Sequence, residues 1–358
     1  MVDEPLTGGG AGAVGPGGGD PGESSDDVTR RRGLSRRSFV LGSGAGIAVT
    51  STGMLSDLAG AATSSEVTAE NALAGAPKSQ WWTNESPSIV GFADGLSFLP
   101  GETVKFKVST PSSNYRIRIY RLGWYAGNGA RWLADVTPSV SLPQTQPDPV
   151  VQSATRLVDC GNWAVSGSWT VPTNALSGVY YAKFERLDVS GQNNFALFVV
   201  RSNSAADILV QTSDATWHAY NMYGGASLYF GDADAPFNSQ RATKVSYNRP
   251  LSRSTEQEST FFGPEFPLVR WLERNGYSVN YCTQLDTQRD AQMIRRHKVF
   301  ISSGHDEYWT KEQRANVTAA RDAGVNLVFF SANEIFWKTR PEPAVAGGAT
   351  ANRTLVCY

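Results

Sequence analysis

Residues Val299-Phe-Ile-Ser-Ser-Gly-His-Asp-Glu-Tyr-Trp309 set an imidazole, two carboxyl groups and a phenol in direct succession. The apolar run Val299, Phe300, Ile301 reads as a buried strand, and Ser302-Ser303-Gly304 breaks it. His305, Asp306, Glu307 and Tyr308 then follow just before a helix. In an open α/β sheet, ligands bind outside the carboxyl ends of the strands. A carboxylate and an imidazole at i, i+2 can converge there on one ion or one water, which is acid–base or metal-assisted chemistry. The plainer alternative is a solvated loop that caps the next helix.

Two further strand ends carry similar groups. Beyond Val210 lies Thr216-Trp-His-Ala-Tyr-Asn221, followed by Tyr223-Gly-Gly225; beyond Phe330 lies Ser331-Ala-Asn-Glu334. All three ends should open on one edge of a parallel sheet. Trp217, Tyr223 and Trp309 read first as packing, since aromatics dominate cores. His218 could simply bond a loop carbonyl, Glu334 could cap a turn, and His297, between Arg296 and Lys298, reads as a solvated surface residue. There is no nucleophile elbow, P-loop or GxGxxG, and Cys282 lacks the flanking Gly turn of a cysteine nucleophile. These absences leave metal-assisted hydrolysis or a non-catalytic binding domain. A divalent-ion site of His218, His305 and Glu307 is a further alternative.

The elements that must hold these groups fall into blocks. Residues 1–62 read as a disordered Gly-, Pro- and acid-rich start followed by a twin-arginine signal, with Ser35-Arg-Arg-Ser-Phe-Val-Leu41, a weakly apolar stretch and the small residues Ala59-Gly-Ala61. The expected location is therefore outside the cytoplasm, by twin-arginine export, with no membrane span once the signal is removed. A linker is expected over 63–79. Residues 80–203 show alternating strands such as Thr103–Val108 and Tyr115–Tyr120, which predict an immunoglobulin-like β-sandwich. Residues 204–358 alternate strands with helices, which predicts an α/β domain with a mainly parallel sheet. The stretch Tyr223–Gly263 reads as a long loop shielding the pocket. Leu355-Val-Cys-Tyr358 reads as an edge strand, and truncation at the C-terminus is expected. Composition is ordinary, 41% hydrophobic with formal net charge -1, which argues against nucleic acid as partner. Cys160, Cys282 and Cys357 allow at most one disulfide.

Four motifs in order, Ser177-Gly-Val-Tyr180, Thr216-Trp-His-Ala-Tyr-Asn221 with Gly224-Gly225, Gly304-His-Asp-Glu-Tyr-Trp309 and Ser331-Ala-Asn-Glu-Ile-Phe-Trp337, resemble the large (β) subunit of N,N-dimethylformamidase and its relatives. The resemblance implies a β-sandwich followed by a class I glutamine-amidotransferase-like α/β domain. It also implies an exported hydrolase acting on the carbon–nitrogen bond of small linear amides, through a mononuclear Fe(III) held by two tyrosines and one glutamate. Carried onto this sequence, the ligands are Tyr180, Tyr220 and Glu307, with Tyr181 competing for the first place. His305, Asn333 and Glu307 would be catalytic. Asp306 and Glu334 stand where the amidase has a proline and a glycine. The partners implied are a small amide and either a further copy of the chain or a small partner subunit. The alternative is an exported, non-catalytic module for carbohydrate or cell wall, presenting Trp81, Trp82, Trp124 and Tyr125.

Overall fold

A computed structural model of the protein describes residues 64–231, 240–251 and 260–357. The twin-arginine pattern and the small-residue site at 59–61 lie outside the described residues. The stretch read as a linker carries two short helices, α1 (Ser65–Asn71) and α2 (Lys78–Trp81). They are held in place by side chains: Ser64 caps α1, Glu70 pairs with Arg131, and the Asn71 carboxamide accepts from the Trp124 and Tyr125 amides.

The strands up to residue 200 are β1 (Val90–Ala93), β2 (Ser97–Phe98), β3 (Thr103–Ser109), β4 (Tyr115–Leu122), β5 (Ala130–Val136), β6 (Val150–Gln152), β7 (Leu157–Asp159), β8 (Gly167–Thr170), β9 (Gly178–Arg186) and β10 (Asn193–Val200). They build a three-stranded sheet, β1-β3-β8, a five-stranded sheet, β2-β10-β9-β4-β5, and the β6–β7 hairpin. Alternation in Thr-Val-Lys-Phe-Lys-Val turns Val104, Phe106 and Val108 inward, where they meet Ile117, Ile119 and Phe184 in one core. The other face of the five-stranded sheet is covered as well. Tyr120, Leu122, Val179, Tyr181 and Phe195 share a core with Val210, Leu272 and Val279 of the following α/β region. Burial on both faces explains why β10 reads as a nearly continuous apolar run.

The α/β region contains β11 (Ile208–Gln211), α3 (Asp214–Tyr220), β12 (Lys244–Ser246), α4 (Phe266–Arg274), β13 (Val279–Cys282), α5 (Gln284–Arg289), α6 (Ala291–Arg295), β14 (Val299–Gly304), β15 (Tyr308–Thr310), α7 (Lys311–Asp322), β16 (Asn326–Ser331), β17 (Trp337–Glu342) and β18 (Thr354–Val356). The order β13-β11-β14-β16 is parallel throughout. A second sheet runs β12-β18-β17-β15, so β18 lies inside it and is not the edge strand read from the sequence. Helix α7 starts where its signals place it: Thr310 Oγ1 accepts from the Gln313 amide at 3.1 Å in a capping box, and Gly324 follows the helix with φ +97°. The cysteines are buried free thiols. Among the described residues no helix is long and apolar enough to cross a membrane.

A buried ion pair fastens the five-stranded sheet to α4. Arg121 of β4 donates Nη2 to Glu273 Oε1 at 2.7 Å and Nη1 to Oε2 at 2.8 Å, with both side chains almost fully covered. The same carboxylate accepts from Tyr281 Oη at 3.2 Å and from Asn71 Nδ2 at 2.8 Å. Removing one partner of such a pair strands the other charge, whereas replacing both with apolar groups does not. Glu273→Ala should therefore lower the unfolding free energy by about 3–5 kcal/mol. In urea titrations Arg121→Met combined with Glu273→Leu should lose less than Glu273→Ala alone.

Candidate functional site

The parallel register puts Gln211 beside Ser302, so β11 and β14 end level and their loops leave together. Directly after β11 the backbone turns into α3, which carries Thr216, Trp217 and Tyr220 and is buried along its whole length. The sequence pattern alone does not predict this helix. After β14, Gly304 adopts φ +96°, and a Cβ there would lie 2.6 Å from Glu265 Cγ. Both the positive φ and the lack of space require glycine.

Beyond that turn, successive side chains go to different places. The Asp306 carboxylate, wholly buried, accepts from Gln284 Nε2 at 2.6 Å, Ser302 Oγ at 2.6 Å and Gln211 Nε2 at 2.7 Å. It lies beneath the loop and adds no open charge to the pocket. Ser302 Oγ also stands 3.0 Å from Glu334 Oε1. One hydroxyl hydrogen cannot serve two carboxylates, so one of the two acids brings its own proton. Burial raises Asp306 well above the usual carboxylate range and raises Glu334 as well.

Glu307 gathers the remaining groups. Its Oε1 accepts from Tyr220 Oη at 3.3 Å and from Asn333 Nδ2 at 3.1 Å, and its Oε2 accepts from Tyr229 Oη. His305 Nε2 contacts the same Oε1 and lies 3.0 Å from Asn333 Nδ2. The tautomer with a proton on Nε2 donates to Glu307, and the other accepts from Asn333, so the imidazole has two competing partners. Burial opposes charge on Glu307, but His305, Tyr229 and Asn333 outweigh it and hold the carboxyl below its usual range. Tyr220 and Tyr229 stack at 4.2 Å between ring centres, and burial pushes the Tyr229 phenol up to about 12. Trp337 Nε1 donates to Tyr229 Oη at 3.3 Å. Asn333 sits at φ +52°, a region uncommon for residues other than glycine.

Of the residues named from the sequence, Tyr220, Glu307, His305 and Asn333 therefore meet. Tyr180 does not join them. Its ring packs against Trp169 and Phe198 in the sandwich core, its hydroxyl donates to the Leu176 carbonyl at 2.8 Å, and burial pushes the phenol up to about 12. Tyr181 faces the other core and bonds Thr83 at 2.9 Å. Strand alternation sends these neighbours to opposite faces of the five-stranded sheet, and both faces are filled by apolar packing. Tyr229, which no motif in the sequence singles out, takes the place beside Tyr220. It belongs to the stretch read as a shielding loop, yet Ala226, Leu228, Tyr229, Ala242 and Val245 form a buried cluster there. The apolar run Ala226–Phe230 is the one signal that could have found it. Residues 232–239 and 252–259 of that stretch lie outside the described residues.

The other histidines do different work. His218 is buried against Tyr247 at 4.8 Å between rings, and the Arg249 and Arg353 charges add to burial in lowering its pKa well below normal. His297 is buried, not solvated: its Nδ1 faces the Met293 carbonyl at 2.8 Å and its Nε2 faces Asn280 at 3.1 Å. Among the described residues no three His, Cys, Asp or Glu side chains group as a metal site, so His218 does not complete a set with His305 and Glu307.

A model of the family described as N,N-dimethylformamidase beta subunit-like, C-terminal, matches residues 116–358. The chain belongs to that family. The N,N-dimethylformamidase beta subunit of an Alcaligenes species is 26% identical over 229 residues, covering 52% of this chain and 29% of the relative. That of Paracoccus aminophilus is 26% identical over 145 residues, covering 38% and 18%. The chain thus spans less than a third of the length of these curated relatives. A solved cycloisomaltooligosaccharide glucanotransferase from a Paenibacillus species covers 62% of this chain and 27% of its own at 12% identity and a TM-score of 0.21, a likeness that carries no argument. In this member of the family the site lies at one end of β14, with groups from α3, the segment bearing Tyr229 and the loop after β16.

Beside this site Glu265 is buried, accepting from Trp217 Nε1 at 2.6 Å and from the Ser213 amide at 3.1 Å, and burial pushes its carboxyl up to about 8. An acid with a raised folded-state pKa stabilises the fold below its unfolded value, and that contribution is lost as pH rises through the folded value. Stability should therefore fall from about pH 5 to pH 8 with a slope from this group of up to about 1.4 kcal/mol per unit. Denaturant titrations of Glu265→Gln should show that slope reduced relative to the native protein.

Proposed function

We propose that this chain is the site-bearing part of an amide hydrolase, acting on small linear amides as the name of its relatives suggests. The observation that carries the reading is the convergence of Tyr220, Tyr229 and His305 on the buried Glu307 carboxylate, with Asn333 alongside. Two phenols and a carboxyl are hard oxygen donors, the chemistry that suits a small, highly charged ion. Deprotonated together they supply three negative charges, matching Fe(III). The donor set fits the ion with Tyr229 in the role that the family resemblance gives to Tyr180. Bound there, the ion would supply Lewis acidity toward an amide carbonyl and a water.

The chain's own groups have defined tasks in this reading. Tyr220, Tyr229 and Glu307 would hold the ion, and with the phenols deprotonated Asn333 and His305 remain as the donors to the Glu307 carboxylate. His305 Nε2, shared between Glu307 and Asn333, takes up a proton and passes it to the departing amine. Asn333 Nδ2 is free to turn from Glu307 to the substrate oxygen and to stabilise charge developing there. The immunoglobulin-like and amidotransferase-like architecture, export by the twin-arginine route, and assembly with further copies or a small partner subunit belong to the same proposal. The beta-subunit names of the relatives support the assembly.

The ligand set is tested by metal analysis and visible spectroscopy of the iron-loaded protein. Tyr220→Phe and Tyr229→Phe should each weaken or abolish a phenolate-to-iron absorption band and reduce amide hydrolysis by about a hundredfold or more. Tyr180→Phe should leave both intact. A band that survives Tyr229→Phe and vanishes in Tyr180→Phe reverses the assignment.

A further inference from the structure

Away from Glu307, a cavity of about 490 Å³ opens where α2, the turn at 124–129 and α4 meet. Of the four aromatics read from the sequence as a sugar surface, Tyr125 is buried away from this cavity and Trp81 forms its buried floor, whereas Trp82 and Trp124 line it with Trp271. Three cations line it too, and each lies over an indole. Lys78 Nζ is 4.3 Å from the ring centre of Trp82, and the Arg270 and Arg274 guanidinium carbons are 5.2 Å and 4.9 Å from that of Trp124. Among the described residues, no carboxylate lines the cavity.

Two features call for an anion. Arg270 and Arg274 stand one turn apart on α4, where like charges repel, and Trp124 holds both over one ring. Arg270 Nη2 donates to the Gly127 carbonyl at 3.0 Å, and no carboxylate among the described lining residues neutralises either guanidinium. A planar guanidinium fork fits a carboxylate best. The indole walls attract a ring with polarised C–H groups, as they attract the cations. The volume falls within the roughly 300–1,000 Å³ of small-molecule sites. We propose that this groove binds an acidic sugar, with the uronate ring against the indoles and its carboxylate between Arg270 and Arg274. The site is independent of the amide chemistry at Glu307.

The test is calorimetric titration of the full-length protein with trigalacturonate, with maltotriose and benzoate as controls. Trigalacturonate should bind and change the tryptophan fluorescence, with maltotriose weaker by about tenfold or more. Arg270→Ala combined with Arg274→Ala should lose about tenfold or more in affinity. Arg274→Ala alone, at an exposed position, should lose part of that and covers the case in which the double variant misfolds. Equal binding of maltotriose, tighter binding of benzoate, unchanged affinity in the arginine variants, or no binding of trigalacturonate overturns the proposal.

Discussion

The buried Asp306 carboxylate is the fixed point of the site. A buried carboxyl is costly unless it is hydrogen-bonded, and here Gln211, Gln284 and Ser302 surround it. Those donors are themselves held. Gln211 Oε1 accepts from Thr287 Oγ1 at 2.5 Å and Gln313 Nε2 at 3.0 Å, and Gln284 Nε2 also donates to the Tyr308 carbonyl at 2.9 Å. One carboxyl thus ties β11, α5, α7 and β14 together beneath the loop that bears His305 and Glu307. The Ile335 and Trp337 amides donate to the Asp306 and Glu307 carbonyls, which brings Asn333 to the same place. Because these partners are polar and directional, they fix position more sharply than apolar packing does.

Arg121 and Glu273 form a second buried knot with a different task. Burying a charge pair adds little net stability compared with apolar packing, but leaving it half-made is severely unfavourable. Such a pair therefore specifies which surfaces meet. Here it sets the five-stranded sheet against α4, while the shared apolar core supplies the area. The same helix turns Trp271, Arg270 and Arg274 outward, so the contact that joins the sheet to the α/β region also shapes the aromatic groove.

Much of this is legible in the sequence because local rules and tertiary packing agree. Val299–Ser302 and Val325–Phe330 are apolar runs bounded by turn residues, and both fold as parallel strands. The capping signals at Thr310 and Gly324 hold because they depend on a few residues. His305 and Glu307 stand out since a strand end is where polar residues lack a packing reason. What the sequence hides depends on distant contacts. Tyr180 ends a motif read from the sequence as resembling the family, but only the pleat of β9 decides which side it faces, and that side is a filled core. Tyr229 lies in a segment with little periodicity, and it is buried because Tyr220, Tyr308 and Trp337 surround it. His297 looks solvated between two cations, yet its ring turns under the sheet to Asn280.

The five-stranded sheet, clothed on both sides, has a consequence for modularity. The boundary near residue 203 that the change of sequence texture suggests is a change of architecture, not a seam along which the molecule can be divided. Removing the α/β region would bare the face of β4, β9 and β10 that carries Tyr181 and Phe195, and removing the sandwich would bare Val210, Leu272 and Val279, which pack against that face. Neither half carries its own solvent-compatible exterior there. The two architectures are inherited together, as one wall belonging to two rooms.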